Sequence, residues 1–336
     1  MPYTLFQGGR RRRRRRAPAL LAALLLLAAA AGAAVLALER ADEDRRTGSR
    51  PPRASAPIED AGTAPLAGGG TAPSPLAVRL EAGSDPIRLD FKRAPRSGLL
   101  FDVDTGRVLW RRDPVRVLPI ASLTKMMTAL VVADRVRPGS KVPITREALR
   151  YRGSGVGLLP RGRRIGVDTM LHGLLLPSGN DAAIALAQRA GGTVARFVAL
   201  MNTRARRMGL VCTRFSNPDG LVSRGNHSCA GDLAAIARAV LRVPRLGRIV
   251  RRRQAVLPFP VKGGRLYLYN SNPLLRQGYR GTTGLKTGYT VAAGRCLVAT
   301  ARRGPLRLGV VLLDSPDPAT QARKLLDRGF RAAGRG

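Results

Sequence analysis

The pattern of apolar and polar residues separates an N-terminal part of the chain from a longer C-terminal part. An uncharged, mostly apolar stretch of 22 residues, at 17–38, follows seven arginines at 10–16. This length is enough to cross the hydrocarbon core of a membrane, and the arginines favour a cytoplasmic N-terminus. We therefore predict a basic cytoplasmic tail at 1–16 and a transmembrane anchor at 17–38, with a cleaved signal segment as the alternative.

Residues 39–94 are rich in Ala, Pro, Gly, Ser and Arg and show no apolar periodicity. This composition is typical of a disordered linker. Periodic patterns begin near Pro95, and we predict one ordered domain at 95–336. Whether the N-terminal segment is an anchor or a signal, this domain is expected outside the cytoplasm, at the bacterial cell membrane or secreted after cleavage.

Within the predicted domain, strand patterns surround a helical stretch. Two strands at 98–104 and 107–110 are joined by a tight turn, and a helix begins near Ser122. Ala-rich amphipathic segments predict further helices at 181–190, 194–208 and 230–242. Strand patterns return at 255–261, 265–270, 294–301 and 306–313, before a last helix at about 317–333. The predicted fold class is α/β (α+β): an antiparallel sheet with flanking helices and an inserted all-α subdomain, with the functional site where the two meet.

The chain is strongly basic, with 59 Lys and Arg against 21 Asp and Glu and a formal net charge of +38. Such an excess raises the question of nucleic-acid binding. The arginines are dispersed, however, and no zinc-finger, RRM or basic-zipper pattern is present. We therefore predict no nucleic-acid partner.

Histidines and cysteines are few. The two histidines, His172 and His227, belong to no His-Glu-x-x-His pattern, and no Cys-x-x-Cys is present, so we predict no metal site. Cys212 and Cys229 flank one loop, and whether they pair is left open, while Cys296 is expected in the core.

Three short motifs carry candidate chemistry: Ser122-Leu-Thr-Lys125, Ser178-Gly-Asn180 and Lys286-Thr-Gly288. A serine hydroxyl becomes a nucleophile when an adjacent base takes its proton. Ser122 and Lys125 are three residues apart and share one helix face, so Lys125 is the candidate base. Burial and the like charge of Lys286 are expected to lower the pKa of Lys125. The alternative for Ser122 is an ordinary helix cap.

The second and third motifs complete this site. Ser178 is a candidate proton relay and Asn180 a candidate for holding a substrate amide, although both also suit an ordinary helix cap. From an edge strand, Lys286 and Thr287 would present a cation and a hydroxyl to a substrate carboxylate, and Gly288 would permit close backbone approach. The alternative for the third motif is a plain turn.

In this order the motifs resemble the serine-type D-Ala-D-Ala carboxypeptidases, the low-molecular-mass penicillin-binding proteins. The likeness covers about residues 95–333 and includes the stretches 121–128, 178–183, 197–202, 213–221 and 284–290. It implies a β-lactamase/transpeptidase-like fold and acylation of Ser122 by a peptidoglycan stem peptide, with release of terminal D-Ala. It also implies an oxyanion hole made by the backbone N–H groups of Ser122 and Tyr289, covalent inhibition by β-lactam antibiotics, and no cofactor.

The three motifs have three other functional interpretations besides a carboxypeptidase. A D,D-endopeptidase acting on crosslinks shares every motif. A β-lactamase needs a carboxylate that positions water, and the nearest Glu in order, Glu147, has no motif around it. A non-catalytic wall-binding protein would be expected to have lost a motif, and all three are intact. The stretch before the nucleophile departs from the usual Pro-Ala-Ser, because Ile120 follows Pro119.

Overall fold

The computed structural model describes residues 75–80, 85–221, 225–260 and 264–333. All of them belong to one compact unit, Gly70–Gly336. The predicted tail at 1–16, the predicted anchor at 17–38 and the predicted linker up to residue 74 lie outside the described residues. Among the helices that are described, none is long and apolar enough to cross a membrane.

The strands and helices follow one another in mixed order along the described ranges. The strands are β1 (Ser97–Asp102), β2 (Val108–Arg112), β3 (Leu118–Pro119), β4 (Lys141–Pro143), β5 (Arg164–Gly166), β6 (His227–Ser228), β7 (Gln254–Pro258), β8 (Arg265–Tyr269), β9 (Thr282–Thr290), β10 (Gly294–Arg303) and β11 (Leu306–Leu313). The helices are α1 (Lys125–Arg135), α2 (Arg146–Leu149), α3 (Val167–Leu175), α4 (Asn180–Gly191), α5 (Val194–Arg207), α6 (Ala230–Arg242), α7 (Pro244–Val250), α8 (Pro273–Arg276) and α9 (Pro318–Ala333).

The main sheet is antiparallel and has the strand order β2-β1-β11-β10-β9. Successive side chains of a strand point to opposite faces of the sheet, and those of the central strands are buried on both faces. Leu99 and Phe101 belong to the apolar cluster that contains α1 and α6, whereas Leu100 belongs to a second cluster with Leu325 and Leu326 of α9. Helices therefore cover both faces, and β2 and β9 form the two edges.

The helical part lies between β2 and β9 in sequence and is built around α1. Residues 125–132 of α1 are all buried, which is typical of a helix surrounded by other helices. Local sequence explains where its neighbours begin and end. Gly192, with φ of 77°, follows α4, and the Thr193 hydroxyl accepts a hydrogen bond from Arg196 N at the start of α5.

Most of the predicted elements are confirmed. The three Ala-rich segments form α4, α5 and α6, and the late strand patterns form β7, β8, β10 and β11. The helix expected near Ser122 begins with a 3-10 turn, Ala121–Thr124, and becomes α-helical at Lys125. The third motif lies inside β9, at an edge of the main sheet, so the edge strand predicted for Lys286 and Thr287 is confirmed.

The structure differs from the sequence analysis just before residue 95. Described residues 75–80 and 85–94 fall in the predicted linker, yet they pack on the domain. Ile87 is buried in the cluster on one face of the sheet, and Trp110 Nε1 donates a hydrogen bond to Leu89 O at 3.1 Å. The guanidinium of Arg238 donates to the carbonyl oxygens of Leu76 and Ala77. Single apolar residues and backbone carbonyls make these contacts, which explains the lack of periodicity.

Candidate active site

The first motif lies at the junction of the 3-10 turn and α1. Ala121, with φ of 47°, precedes Ser122. Ile120, one residue earlier, is fully buried in the core and holds the turn in place. Because Ser122 and Lys125 are separated by about one helical turn, their side chains meet, as the spacing predicts. Lys125 Nζ lies 2.8 Å from Ser122 Oγ. Ser122 is partly exposed, whereas Lys125 is completely buried.

Two further oxygens surround the amine of Lys125. Its Nζ donates to Asn180 Oδ1 at 2.7 Å and to the Asp219 carbonyl oxygen at 2.6 Å. A neutral amine has two N–H donors and one lone pair, so two acceptors leave the lone pair directed at Ser122 Oγ. Burial lowers the pKa of Lys125 from 10.5 to about 7, against the opposing effect of the carboxylates of Asp219 and Asp181. The position therefore suits a base that is neutral near neutral pH.

Lys286 of the third motif is a second buried lysine, in the edge strand β9. Its side chain is 1% exposed, and its Nζ donates to the Thr287 carbonyl oxygen at 2.9 Å. Burial lowers the pKa of Lys286 well below its ordinary value, and the positive charge of Lys125 lowers it further. The sequence predicts that this repulsion acts on Lys125. In the structure burial is the main cause at Lys125, and the repulsion contributes to the shift at Lys286.

The second motif leads into α4. Ser178 adopts φ of 71°, and its Oγ is buried without a hydrogen-bond partner among the described residues. Asn180 is bonded at both ends of its amide: Oδ1 accepts from Lys125, and Nδ2 donates to the Arg152 carbonyl oxygen at 2.5 Å. These contacts fix the position of Lys125. The role of Asn180 towards a substrate amide stays a prediction.

Gly288 brings β9 against the turn that carries the nucleophile. A Cβ atom built at this glycine would lie 3.0 Å from the Ile120 carbonyl oxygen and 3.1 Å from Ser122 N, tighter than most real contacts. The close approach expected at this position is therefore present. Tyr289 follows in the strand and is 66% exposed. Thr287 Oγ1 lies 2.7 Å from Ser271 Oγ, so the strand is also joined to the segment that follows β8.

Sequence reasoning did not identify the contribution of the loop before β6. The Pro218 carbonyl oxygen accepts a hydrogen bond from Thr128 Oγ1 at 2.7 Å, and the next carbonyl, of Asp219, accepts from Lys125. Gly220 adopts φ of 78°, and a Cβ there would overlap the Ala121 carbonyl oxygen. The Asn-Pro-Asp-Gly sequence at 217–220 is a turn signal that was available, but it carries no information about these contacts.

A disulfide closes the same loop. Cys212 and Cys229 are bonded, with their Cα atoms 5.5 Å apart and a sequence separation of 17 residues. This settles the pairing that the sequence left open. Cys296 is free and buried in β10, where it was expected.

Asp181, next to the second motif, is a further residue that the sequence analysis did not assign. It is completely buried, and its carboxylate accepts hydrogen bonds from the backbone N–H groups of Val156 and Gly157. The segment held in this way also provides the Arg152 and Ser154 carbonyl oxygens that bond to Asn180. Asp181 therefore supports Asn180, and through Asn180 it supports Lys125.

A serine nucleophile paired with a buried lysine, beside an edge strand that carries a second lysine, defines an acyl-transfer site of the penicillin-recognising class. The family profile described as D-alanyl-D-alanine carboxypeptidase matches residues 88–317. The chain belongs to this family.

Individual relatives agree with this assignment. The chain is 34% identical over 243 residues to D-alanyl-D-alanine carboxypeptidase DacF of Bacillus subtilis (strain 168), a match of 70% of this chain and 62% of that protein. It is 36% identical over 269 residues to a D-alanyl-D-alanine endopeptidase of Pseudomonas aeruginosa, covering 76% of this chain and 85% of the relative. The matches to DacC and DacA of Escherichia coli (strain K12) span 61% and 60% of those proteins.

A solved structure supports the fold directly. The crystal structure of a D-alanyl-D-alanine carboxypeptidase from Mycobacterium tuberculosis H37Rv matches with a TM-score of 0.68 at 33% sequence identity. The match covers 74% of this chain and 96% of that one. The predicted fold class, a β-lactamase/transpeptidase-like arrangement of sheet and inserted helices, is confirmed.

Proposed function

We propose that the protein is a D-alanyl-D-alanine carboxypeptidase that removes terminal D-Ala from peptidoglycan stem peptides through an acyl-enzyme on Ser122. The observation that carries this proposal is the 2.8 Å approach of Lys125 Nζ to Ser122 Oγ, with the other amine donors engaged by two carbonyl oxygens. Family membership supports the choice of substrate.

Acylation begins when neutral Lys125 accepts the Ser122 proton and the oxygen attacks the carbonyl carbon of the penultimate D-Ala. The backbone N–H groups of Ser122 and Tyr289 stabilise the oxyanion that forms. The C–N bond then breaks, and the amine of the leaving D-Ala takes a proton that returns through Lys125 or Ser178. Water hydrolyses the ester of Ser122 and regenerates the hydroxyl.

The remaining motif residues hold the substrate. Lys286 and Thr287 dock its terminal carboxylate, because a charge-assisted hydrogen bond in a buried position is strong. Asn180 would contact a substrate amide in addition to the hydrogen bond that it makes with Lys125. Gly288 lets β9 lie close to the turn that carries Ser122, so that a substrate held along β9 faces the nucleophile. β-Lactam antibiotics, which carry a carboxylate beside a reactive amide, would acylate Ser122 in the same geometry.

A fluorescent penicillin tests the nucleophile. We expect covalent labelling of the wild type at Ser122 and none of Ser122→Ala, whereas Ser140→Ala, a matched change outside the motifs, should label normally. Lys125→Ala should lose acylation by about 100-fold or more while the fold survives, because it removes the activating base. Labelling that persists in Ser122→Ala would show that another residue is the nucleophile and would contradict the proposal.

An endopeptidase is the second candidate, because the Pseudomonas aeruginosa relative bears that name and the motifs do not separate the two activities. Mass spectrometry of products from a pentapeptide and from crosslinked muropeptides distinguishes them. Release of D-Ala from the pentapeptide alone supports a carboxypeptidase, and cleavage of the crosslink supports an endopeptidase. The β-lactamase alternative has less support, since Glu147 is exposed and its carboxylate is hydrogen-bonded to Gln188.

We further propose that residues 17–38 anchor the protein in the bacterial cell membrane with the catalytic domain outside the cytoplasm. The disulfide supports the outer location, because disulfides persist mainly in oxidising compartments. The mature N-terminus, sequenced from cells, tests the anchor. An intact residue 1 and retention in alkali-washed membranes are expected. A mature chain that begins after residue 30 and washes off would show that the segment is a cleaved signal.

A further inference from the structure

A large cavity lined by arginines lies beside the third motif. Its volume is about 1000 Å³, and its lining includes Arg252, Arg253, Tyr269, Ser271 and Arg276. We call it the arginine cavity. None of the three motifs contributes a residue to this lining, so the mechanism above gives it no function.

The charged side chains in the stretch of sequence that forms this region are all basic. No Asp or Glu occurs between Asp232 and Asp314, although the same stretch of sequence contains many arginines. Among the described residues, Arg252, Arg253 and Arg276 take part in no ion pair, as is true of most arginines in the described ranges. Guanidinium groups that share a cavity repel one another, and an anion bound there would relieve the repulsion.

The walls of the cavity are held in place by backbone hydrogen bonds. Asn270 is 2% exposed, and its Nδ2 donates to the carbonyl oxygens of Val250 at 3.1 Å and Arg252 at 2.9 Å. Its backbone N–H donates to the Arg253 carbonyl oxygen. Arg253 Nη2 in turn donates to the Arg276 carbonyl oxygen at 3.0 Å. These bonds fix the backbone that carries the three arginines, whose side chains are exposed to solvent.

Ser271 connects the cavity to the catalytic motifs. It lines the cavity, and its Oγ lies 2.7 Å from Thr287 Oγ1 in the third motif. Its backbone N–H donates to the Leu176 carbonyl oxygen, two residues before Ser178. An occupant of the cavity would thus lie next to a substrate held by Thr287. This continuity favours a part of the same peptide over a separate polymer.

We propose that the arginine cavity binds a carboxylate of the peptide substrate other than its C-terminal one, so that the protein prefers peptides with an additional acidic group. This inference rests on the proposed function, because it names the class of peptide that the same site accepts. Arginine suits the role, since its planar guanidinium binds a carboxylate with two parallel hydrogen bonds. The exposed ring of Tyr269 offers the apolar stem of that residue a surface.

Equilibrium binding to Ser122→Ala tests the proposal without turnover. Two peptides ending in D-Ala-D-Ala are compared by calorimetry, identical except that one side-chain carboxylate is replaced by its amide. We expect a Kd about two- to fivefold lower for the acidic peptide, from the usual strength of partly exposed charge pairs. The ratio should shrink as salt increases, because these charges are accessible to solvent.

Variants of the arginines are made in the same Ser122→Ala background. Arg252→Gln combined with Arg276→Gln should bring the ratio of Kd values close to one. Arg252→Lys combined with Arg276→Lys keeps both positive charges and should retain part of the preference for the acidic peptide. Arg112→Gln is the control for an arginine outside the cavity. It removes one positive charge from an exposed position on β2, the opposite edge of the sheet, and should leave the ratio unchanged.

Three results would overturn the inference: equal Kd values for the two peptides in the parent protein, a ratio insensitive to the arginine substitutions, or an equal loss in Arg112→Gln. Inorganic polyphosphate provides a further arm. If the arginine substitutions abolish its binding while the two peptides bind equally, the cavity serves a polyanion and the proposal is wrong. Failure of the proposed function is distinguishable, because it appears as absent penicillin labelling and absent D-Ala release in the wild type.

Discussion

The Nζ atom of Lys125 lies 2.8 Å from the Oγ atom of Ser122, and the amine is completely buried while the hydroxyl is partly exposed. Burial disfavours the ammonium form, and the pKa of Lys125 falls to about 7. Lys125 can therefore accept the Ser122 proton near pH 7, where an exposed lysine would be fully protonated. The rate of acylation should report this pKa.

We expect the acylation rate to rise with pH up to about 7 and then to level off. Below that pH Lys125 is protonated and cannot accept the Ser122 proton, so the rate should fall about tenfold for each pH unit. Stopped-flow measurement with a chromogenic β-lactam between pH 5 and 9 follows the profile, and circular dichroism at each pH confirms that the fold persists. A rate independent of pH over this range would contradict Lys125 as the base.

A change at Asn180 should move the same profile. Asn180→Asp places a carboxylate where the amide oxygen lies 2.7 Å from Lys125 Nζ, and an opposite charge favours the ammonium form. The pKa of Lys125 should rise, so that acylation at pH 7 falls by about tenfold or more and recovers at higher pH.

Asn180→Ala is the control at the same position. It removes the hydrogen bonds to Lys125 and Arg152 but adds no charge, so the rate should fall without recovery at high pH. Identical pH profiles for Asn180→Asp and the wild type would show that the amide oxygen does not set the charge state of Lys125.

The sequence was sufficient for the parts of the site that depend on residue type and short spacing. The three-residue interval of Ser122 and Lys125 predicts their contact, and the glycine of the third motif predicts close packing at Gly288. The Asp219 carbonyl oxygen was not predictable, because every residue has a carbonyl and this one reaches Lys125 across 94 residues of sequence. Asp181 was missed for a related reason, since its partners are backbone N–H groups that carry no residue signature.

The N-terminal boundary of the domain was also not predictable from the pattern of apolar residues. Periodicity predicts the regular helices and strands well, but residues 85–94 pack on the sheet through isolated side chains such as Ile87 and through the Leu89 carbonyl oxygen. Contacts of this kind leave no repeating pattern in the sequence. A boundary drawn from periodicity therefore begins after these residues.

Removal of the disulfide should lower stability. The Cys212–Cys229 bond joins two cysteines with a sequence separation of 17, and loss of such a bond typically costs about 2–5 kcal/mol. For a domain of this size we expect Cys212→Ala with Cys229→Ala to lower the Tm by about 5–15 °C. Acylation should slow as well, because the loop carries the Asp219 carbonyl oxygen that binds Lys125.

Differential scanning calorimetry measures the change in Tm, with Cys296→Ala as the control. Cys296 is buried but unpaired, so its substitution removes a sulfur atom without opening a crosslink. Equal changes in Tm for the two variants would mean that the effect comes from lost packing and that the crosslink itself contributes little.

Lys286 should serve substrate charge more than folding. Lys286→Gln should weaken turnover of peptides with a free C-terminal carboxylate, with little change in Tm. Steady-state kinetics on matched peptides with free and amidated C-termini checks this. Equal activity of the wild type on both peptides would contradict carboxylate docking.

Carboxylate docking at Lys286 should also be coupled to proton uptake. Burial and the charge of Lys125 hold the pKa of Lys286 well below its ordinary value, so the neutral form is favoured relative to an exposed lysine. A bound carboxylate favours the ammonium form, raises this pKa and draws a proton from solution. Calorimetric titration of Ser122→Ala with a free-carboxylate peptide, in buffers of different ionisation enthalpy, should reveal uptake of up to about one proton. The amidated peptide, or addition of Lys286→Gln to the same protein, should abolish it. The same buffer dependence in all three titrations would assign the proton to another group and remove Lys286 from the carboxylate site.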